Sequence, residues 1–164
     1  ASEGLDNDGL DARRLVEAFV LVGLHPESVA AQLAALDAPP AHALEDRAFA
    51  ASPLASYPMP APGSAREASV RAVAPFCFPD GVRYARVGTK QLRTPGATQF
   101  ASFVLTRDNF QRFHGYALEF WQPCPGALAE ASGAGSAGAA GWSLPTALCL
   151  VCRAECAQAA EALL

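Results

Sequence analysis

Residues 101–120 read ASFVLTRDNFQRFHGYALEF, and they carry the strongest local structural signal in the chain. Two runs rich in β-branched and aromatic residues, 103–106 and 113–120, flank a polar segment at 107–111 that contains an Asp-Asn pair. Asn and Asp tolerate left-handed backbone angles and are common in turns. Two β-favouring runs joined in this way predict an antiparallel hairpin. Because an isolated hairpin is only marginally stable in water, other elements must cover it.

Length and composition favour one globular domain. The chain has 164 residues, of which 51% are hydrophobic and 17% charged, enough apolar material for a real core. A net charge of −4 argues against nonspecific binding of nucleic acid, which needs a dense basic face. No apolar run approaches the roughly 20 residues that span a bilayer, and no secretory signal is recognised. Five cysteines without a regular disulfide framework predict reduced thiols in a cytoplasmic protein.

Two further apolar runs, 19–22 and 148–151, show no alternation of polar and apolar residues. Such runs are typical of strands that are buried on both faces. For the first run a helical alternative stays open, because Leu15, Phe19 and Val22 also have helical spacing. If both runs are strands, helices must lie on each side of the sheet.

Helix signals occur at four places. Pro26 and Glu27 suit the first turn of a helix, and Ser64 with Glu67 three residues later predicts a capping box. Pro75 is expected to end this second helix, and residues 154–164 form an Ala-rich third candidate; residues 41–51 are a weaker fourth. The side chains expected to face inward are Val29, Leu33, Leu36, Val70, Val73, Ala74, Cys156, Ala160 and Leu163.

The remaining segments are expected to lack regular structure, apart from a short strand at 76–78. Residues 52–63 contain four prolines, and Pro79-Asp80-Gly81 predicts a turn. Residues 82–97 are interpreted as a surface connection, and the Gly/Ala/Ser-rich residues 126–141 as a flexible loop. The predicted organisation is an acidic lead-in at 1–12 followed by a single domain at 13–164.

No pattern in the chain predicts a catalytic, cofactor-binding or metal-binding residue. Cys149-x-x-Cys152 with Cys156 is the most suggestive set, but residues three apart in a strand point to opposite faces. Buried thiols are therefore favoured over a zinc or redox site. His25, His42 and His114 share no spacing, no G-x-S-x-G elbow is present, and the Gly-rich run lacks the ending of a phosphate loop.

A group of basic residues surrounds the hairpin. One interpretation is a solvated face on an acidic protein, which we favour; the other is a patch for a partner or for anionic lipid. The residues are Arg83, Arg86, Lys90, Arg93, Arg107 and Arg112.

Several short motifs, in this order, resemble a known family. FVLVGL at 19–24, Tyr57-Pro58, FCFPDG at 76–81, FASFVLT at 100–106, FHGY at 113–116 and ALCLVCR at 147–153 are similar to the upstream DENN (uDENN) domain, the longin-like N-terminal part of the tripartite DENN module. The resemblance covers roughly residues 13–164. The family-motif residues, expected to be structural, are Phe76, Phe78, Pro79, Phe103, Val104, Leu105, Thr106, Gly115 and Tyr116.

This resemblance implies an α/β (α+β) fold of longin type, with a small, mainly antiparallel sheet and helices on both faces. It implies that the chain binds a Rab-family small GTPase and contributes to guanine-nucleotide exchange in membrane traffic. The chain would work with the remaining DENN parts of the same polypeptide or with a sister longin or DENN protein. It implies a regulator without enzyme chemistry that can lie at membrane surfaces. With the composition and motifs above, we expect a cytoplasmic protein with no cofactor, no nucleic-acid partner and no transmembrane segment. GTPase-contact residues are not assigned.

Two stretches, 34–51 and 126–141, depart from the family pattern as insertions, and the central part of the module would begin where this chain stops. Exchange activity of this chain alone is therefore not implied. The alternative function is a non-catalytic longin-type interaction or scaffold domain within a larger complex.

Overall fold

A computed structural model describes residues 15–35, 47–86, 98–107, 110–132 and 141–164. In these ranges helices pack against one antiparallel sheet, which confirms the α+β class. None of the helices in these ranges has the length and apolarity to cross a membrane. The elements are β1 (Val16–Gly23), α1 (Pro26–Ala34), β2 (Ser52–Tyr57), α2 (Ala65–Cys77), β3 (Ala85–Arg86), β4 (Gln99–Thr106), β5 (Arg112–Pro123), α3 (Gly126–Ala131), β6 (Trp142–Cys152) and α4 (Ala157–Leu163).

The sheet has the strand order β2-β1-β6-β5-β4, and β3 pairs with the first residues of β6. Every pairing is antiparallel. β4 and β5 form the predicted hairpin. Their register is uninterrupted from the cross-strand pair of Gln99 and Glu119 to the pair of Thr106 and Arg112. The run 19–22 lies in β1, between β2 and β6, so the strand interpretation is confirmed and the helical alternative is wrong.

The described residues at the two ends of the hairpin turn show how the loop is closed. The N–H of Arg107 donates to the carbonyl of Gln111 at 3.0 Å, and the N–H of Phe110 donates to the carbonyl of Arg107 at 2.9 Å. Phe110 has a φ of 60°. A three-residue loop with a left-handed third residue has this bonding pattern. Phe110 therefore has a left-handed backbone angle, and the Asp-Asn pair lies outside the described residues.

Helices lie on both faces of the sheet, as predicted. Val20, Cys149 and Ala117 are cross-strand neighbours on one face, and they share a core cluster with the buried residues of α2. We call this the α2 face. The opposite face carries Tyr116 and Leu150 and packs against Ala160 of α4, and we call it the α4 face.

Burial on the α4 face is incomplete. β6 is buried on both faces, as its continuous apolar sequence predicts, except that Leu148 is half-buried. In β1 the prediction of two-sided burial is wrong, because Phe19 on the α4 face keeps 38% of its surface exposed. The physical reason is that α4 has only seven residues and covers one end of this face.

The helix α2 begins as predicted but does not end there. The Ser64 hydroxyl accepts the N–H of Glu67 at 3.2 Å, while the Glu67 carboxylate accepts the N–H of Gly63 at 2.6 Å. The helix continues through Pro75 to Cys77, so the predicted stop at 75 and the strand at 76–78 are wrong. Pro75 has no N–H to donate, but the N–H of Phe78 still donates to the Ala74 carbonyl at 3.0 Å, so the last turn of the helix forms after the proline.

Three segments expected to be irregular contain regular structure. The expected surface connection at 82–97 includes β3 (Ala85–Arg86), and Val82, Tyr84 and Ala85 are buried, so for its described part, 82–86, that interpretation is wrong. Ser52–Tyr57 is strand β2 despite Pro53, because an edge strand leaves one row of N–H groups without a ladder partner and tolerates proline there. Gly126–Ala131 is the helix α3, in which Leu128 and Ala129 are buried. Its apolar contacts stabilise a run whose composition alone favours a loop. The remainder of the predicted loop, 133–140, lies outside the described residues.

The other local predictions have mixed outcomes. Val29, Leu33, Val70, Val73, Ala74 and Ala160 are buried as expected. Leu163 is 64% exposed, so the prediction that it faces inward is wrong. Residues 47–51 are not helical; Phe49 instead forms a bridge with Val82. Leu36, the rest of the weak helix at 41–46 and the acidic lead-in lie outside the described residues.

One buried carboxylate joins the two sides of the domain. Glu17 lies at a register irregularity of β1, between Val16 and Ala18, and is 5% exposed. Its carboxylate accepts a hydrogen bond from Nε of Arg153, which follows β6. The guanidinium of Arg66, from the first turn of α2, lies 3.7 Å away. Removing one partner of a buried pair leaves an uncompensated charge, so this link is expected to matter for stability.

Candidate functional site: a cleft beside the end of α2

A cleft of about 380 Å³ opens on the α2 face. One wall is the end of α2 and the turn that follows it; β4, β5 and β6 form the floor. The floor residues Ala101, Ala117 and Ala147 are small, so they leave space that larger side chains would fill. The cleft exists because α2 ends at Cys77, before it has crossed this part of the sheet.

The turn that forms one wall is held firmly in place. The N–H of Gly81 donates to the carbonyl of Phe78 at 3.0 Å, and Phe78 is buried. Gly81 has a φ of 72°, and a Cβ at this position would lie 2.8 Å from the carbonyl oxygen of Phe49. The next residue, Val82, exchanges two hydrogen bonds of 2.8 Å with Phe49. The predicted Pro-Asp-Gly turn is therefore confirmed, and its glycine is required by both backbone angle and space.

An aromatic stack borders the cleft. Phe76 lies on Phe103 with ring centroids 5.1 Å apart and an interplanar angle of 18°. The Phe103 ring covers Gly115 so closely that a Cβ there would lie 2.2 Å from a ring carbon. Glycine in a strand often marks such an approach. Phe76 remains 46% exposed at the rim, where a partner can reach it.

A buried carboxylate lies in the floor. Glu119 is 9% exposed and pairs across the strands with Gln99; both line the cleft, together with Asp80 and Arg83. Sequence reasoning did not single out Glu119. A usable signal was present, because in FHGYALEF the strand alternation places Glu119 on the same face as Gly115 and Ala117, where a charged residue is unusual. Trp121, which also lines the cleft, was missed as well.

The family-motif residues divide between the two faces. The structure brings Phe76, Phe78 and Pro79 to the cleft, with Phe103 directly beneath Phe76. Leu105 is buried in the same core, while Val104 and Thr106 are exposed. Tyr116 lies on the α4 face, where its hydroxyl accepts the N–H of Cys156 at 2.8 Å.

The cysteines diverge as predicted. Cys149 belongs to the α2-face core, which Cys77 also contacts, and Cys152 packs with Cys156 on the α4 face. A hydrogen bond with Cys77 and then burial raise the pKa of Cys149 far above that of an ordinary thiol. Burial first, then its hydrogen bond with Cys156, raises the pKa of Cys152 to about 12. Both stay protonated near neutral pH and are poor nucleophiles.

Metal binding finds no support in the part of the chain that the structure describes. There, no group of three or more His, Cys, Asp or Glu residues is arranged to hold an ion. The cysteines in it are free thiols, and His114 pairs across the strands with Cys152 rather than with a carboxylate.

The three basic residues around the hairpin whose side chains the structure describes differ in burial. Arg107 is half-buried: its Nε donates to the Ser69 hydroxyl at 2.7 Å, and its guanidinium lies 4.4 Å from the centre of the Phe113 ring. It therefore fixes the hairpin loop against α2. Arg83 and Arg112 are exposed, whereas the side chain of Arg86 and both Lys90 and Arg93 lie outside the described residues.

Comparison with known proteins gives one match. Residues 51–120 match the family model of the uDENN domain. The matched stretch runs from β2 to β5 and contains α2, the FCFPDG turn, the aromatic stack and Glu119. Searches of curated proteins and of solved structures found no match.

Proposed function

Because the chain carries a uDENN domain at residues 51–120, we propose that it is the N-terminal, longin-like part of a DENN-module protein that binds a Rab-family GTPase and contributes to guanine-nucleotide exchange. The family match is the observation that carries this proposal. A uDENN domain implies a DENN module, which generally regulates Rab GTPases rather than making or breaking bonds. Its place of action would be the cytoplasmic surface of trafficking membranes.

The cleft supports a recognition role. It combines an exposed aromatic rim at Phe76, a floor of small residues and one buried carboxylate at Glu119. Rigid apolar concavities with a few fixed polar groups are typical binding sites, and aromatic residues often dominate interface energies. We propose that an apolar side chain of the GTPase packs over Ala117 in this floor.

Exchange by such a domain needs no nucleophile or general base. A protein that binds the nucleotide-free GTPase more tightly than the loaded form lowers nucleotide affinity by the same factor. The proposal therefore requires that the chain bind the nucleotide-free GTPase more tightly than the loaded form. A cleft that accommodates only the nucleotide-free form would provide this difference in affinity.

The test is nucleotide release from a panel of Rab GTPases carrying fluorescent GDP, with the full-length protein added. We expect faster release from at least one member, and tighter binding to its nucleotide-free form. Phe76→Ala should slow release about tenfold if this ring is an interface anchor. Met59→Ala, at a side chain that is 85% exposed and outside the cleft, is the matched control. Unchanged release and no binding to any nucleotide-free Rab would overturn the proposal.

A second function, a non-catalytic interaction or scaffold domain, is favoured by a different observation. Phe19, Phe100 and Val104 leave large apolar areas exposed on the α4 face, and exposed apolar patches mark interaction sites. A ligand with equal affinity for two states shifts neither. Equal binding to loaded and nucleotide-free GTPase, or binding only to other longin domains, would therefore favour the scaffold function.

A further inference from the structure

The two edges of the sheet differ in how well they are protected. At one edge, β2 contains Pro53, and its register with β1 is interrupted between Leu21 and Val22. At the other, β4 pairs with β5 over eight residues without interruption. β4 reads QFASFVLT and contains no proline and no charged residue. Natural sheets normally protect an edge with charges, prolines or bulges, so the exposed side of β4 is an unusual feature.

The hydrogen bonds of the hairpin show which backbone groups face this edge. The bond from the Arg107 N–H to the Gln111 carbonyl makes these two residues a hydrogen-bonded pair. Hydrogen-bonded and non-hydrogen-bonded pairs alternate along an antiparallel ladder, so Leu105, Phe103 and Ala101 bond to β5. The N–H and C=O groups of the intervening residues point away from β5. Among the described residues β4 has no second strand partner.

The side chains at these outward-bonding positions suit a second copy of the same strand. We propose that two copies of this chain pair through β4, antiparallel, about a twofold axis at Ser102. In this register Phe100 of one copy lies opposite Val104 of the other. Both side chains are on the α4 face and are 38% and 49% exposed. Cross-strand pairs of an aromatic and a β-branched residue are favourable.

Charge and symmetry favour self-pairing over capture of a foreign peptide. β4 contains no charged residue, so antiparallel self-pairing opposes no like charges, and it offers no attraction to an acidic or basic strand. The register also keeps each face continuous across the axis, because even-numbered residues meet even-numbered residues. The α4 faces of the two copies would thus join into one apolar surface.

The test uses Ser102→Pro in the full chain. Proline removes the outward N–H at the twofold axis but none of the hydrogen bonds to β5, and edge strands accept proline in this orientation. Ser102→Ala, which keeps the N–H, is the matched control. Sedimentation equilibrium should give a dimer for the unsubstituted chain and for Ser102→Ala. The dimer dissociation constant should rise about tenfold or more for Ser102→Pro, as expected when a symmetric ladder loses its central donors.

Two measurements keep the proposal open to refutation if Ser102→Pro folds poorly. Val104→Lys, at an exposed position, should weaken the dimer without lowering the melting temperature of the monomer. Amide hydrogen exchange at Phe100, Ser102 and Val104 should slow as concentration rises, while exchange at Phe103 stays slow throughout. A chain that is monomeric at every concentration, or a dimer that both variants leave intact, would overturn the proposal.

Discussion

The α2 face and the α4 face start from similar strand sequences but are covered very differently. α2 has thirteen residues, a side-chain cap at Ser64, and contacts with β1, β2, β4, β5 and β6. α4 has seven residues, buries only Ala160 and has no side-chain cap. Continuous apolar strands therefore predict that helices cover both faces of the sheet. How much of each face is buried depends on the helix that packs against it.

This difference separates stability from recognition. Short helices are marginal alone and depend on packing, so the well-packed α2 face should supply most of the stability and hold the cleft in shape. The α4 face leaves apolar side chains in solvent, a costly arrangement that contact with another protein would relieve. Four substitutions or conditions test this division, beginning with the residue that joins both sides.

Glu17→Gln is expected to have the largest effect. Glu17 is buried and interacts with Arg66 of α2 and Arg153, which precedes α4. Glutamine keeps the shape but removes the buried negative charge that faces both guanidinium groups, and breaking a buried ion pair typically costs about 3–5 kcal/mol. The free energy of unfolding from urea titration measures the loss.

Glu27→Gln, at an exposed glutamate in the first turn of α1, is the control and should change stability by less than about 0.5 kcal/mol. If Glu17→Gln also falls in that small range, the two faces are not joined through this carboxylate.

Gly115→Ala tests the α2 face alone. Its Cβ would lie 2.2 Å from the ring of Phe103, so this ring must shift and its stack with Phe76 is disturbed. Overpacking of this kind costs about 1–3 kcal/mol. Thermal denaturation should show the lower stability of this variant. The nucleotide-release assay should show whether the aromatic rim of the cleft has been displaced.

A double-mutant cycle makes this prediction specific. In a Phe103→Ala background the ring is absent, so Gly115→Ala should become nearly neutral, with a coupling energy above about 1 kcal/mol. Phe103→Ala alone should cost less than the about 3–5 kcal/mol typical of a fully buried ring, because Phe103 is half-buried. Additive effects would show that the ring and the glycine are not in contact.

These residues also show what the sequence makes predictable. The hairpin, the strands of β1 and β6 and the Ser64 cap follow from local composition and spacing, which depend on near neighbours. Local composition did not predict the structure of Phe76–Phe78 or of Gly126–Ala131, because tertiary contacts outweigh local propensity there. The helix α2 continues past Pro75, and burial of Leu128 stabilises a helix in a Gly/Ala-rich run.

The cleft was less predictable than the fold. Its turn and part of its rim lie in FCFPDG, so the motif indicated one wall. The floor consists of small residues from β4, β5 and β6. These residues meet only because the three strands are neighbours in the sheet, and no single segment of the sequence predicts that strand order. Glu119 was detectable as a charge on an inward-facing position, but only once the orientation of β5 was known.

Tyr116→Phe tests the α4 face alone, with a smaller effect. The tyrosine hydroxyl accepts the N–H of Cys156 at the start of α4. Its loss should cost about 1 kcal/mol and should speed hydrogen exchange in α4 but not in α2. Tyr57→Phe, at a ring that is 75% exposed, should change neither quantity. Equal acceleration in both helices would mean that α4 does not unfold separately.

The smallest effect is a pH dependence at the start of α2. The N–H of Gly63 donates to the Glu67 carboxylate, and this bond, followed by the attraction of Arg71, holds the pKa of Glu67 below its ordinary value of 4.5. A carboxylate whose pKa is lowered by folding stabilises the native state above the unfolded-state pKa, and this contribution is lost as the pH falls through the folded-state pKa. Glu67→Gln should therefore be less stable than the unsubstituted chain near pH 7, and the difference should disappear in acid. Ser64→Ala removes the neighbouring cap without removing a titrating group, so its cost should persist at both pH values. If the stability difference between Glu67→Gln and the unsubstituted chain does not vary with pH, helix propensity is its cause. The charge of Glu67 would then not stabilise the α2 face.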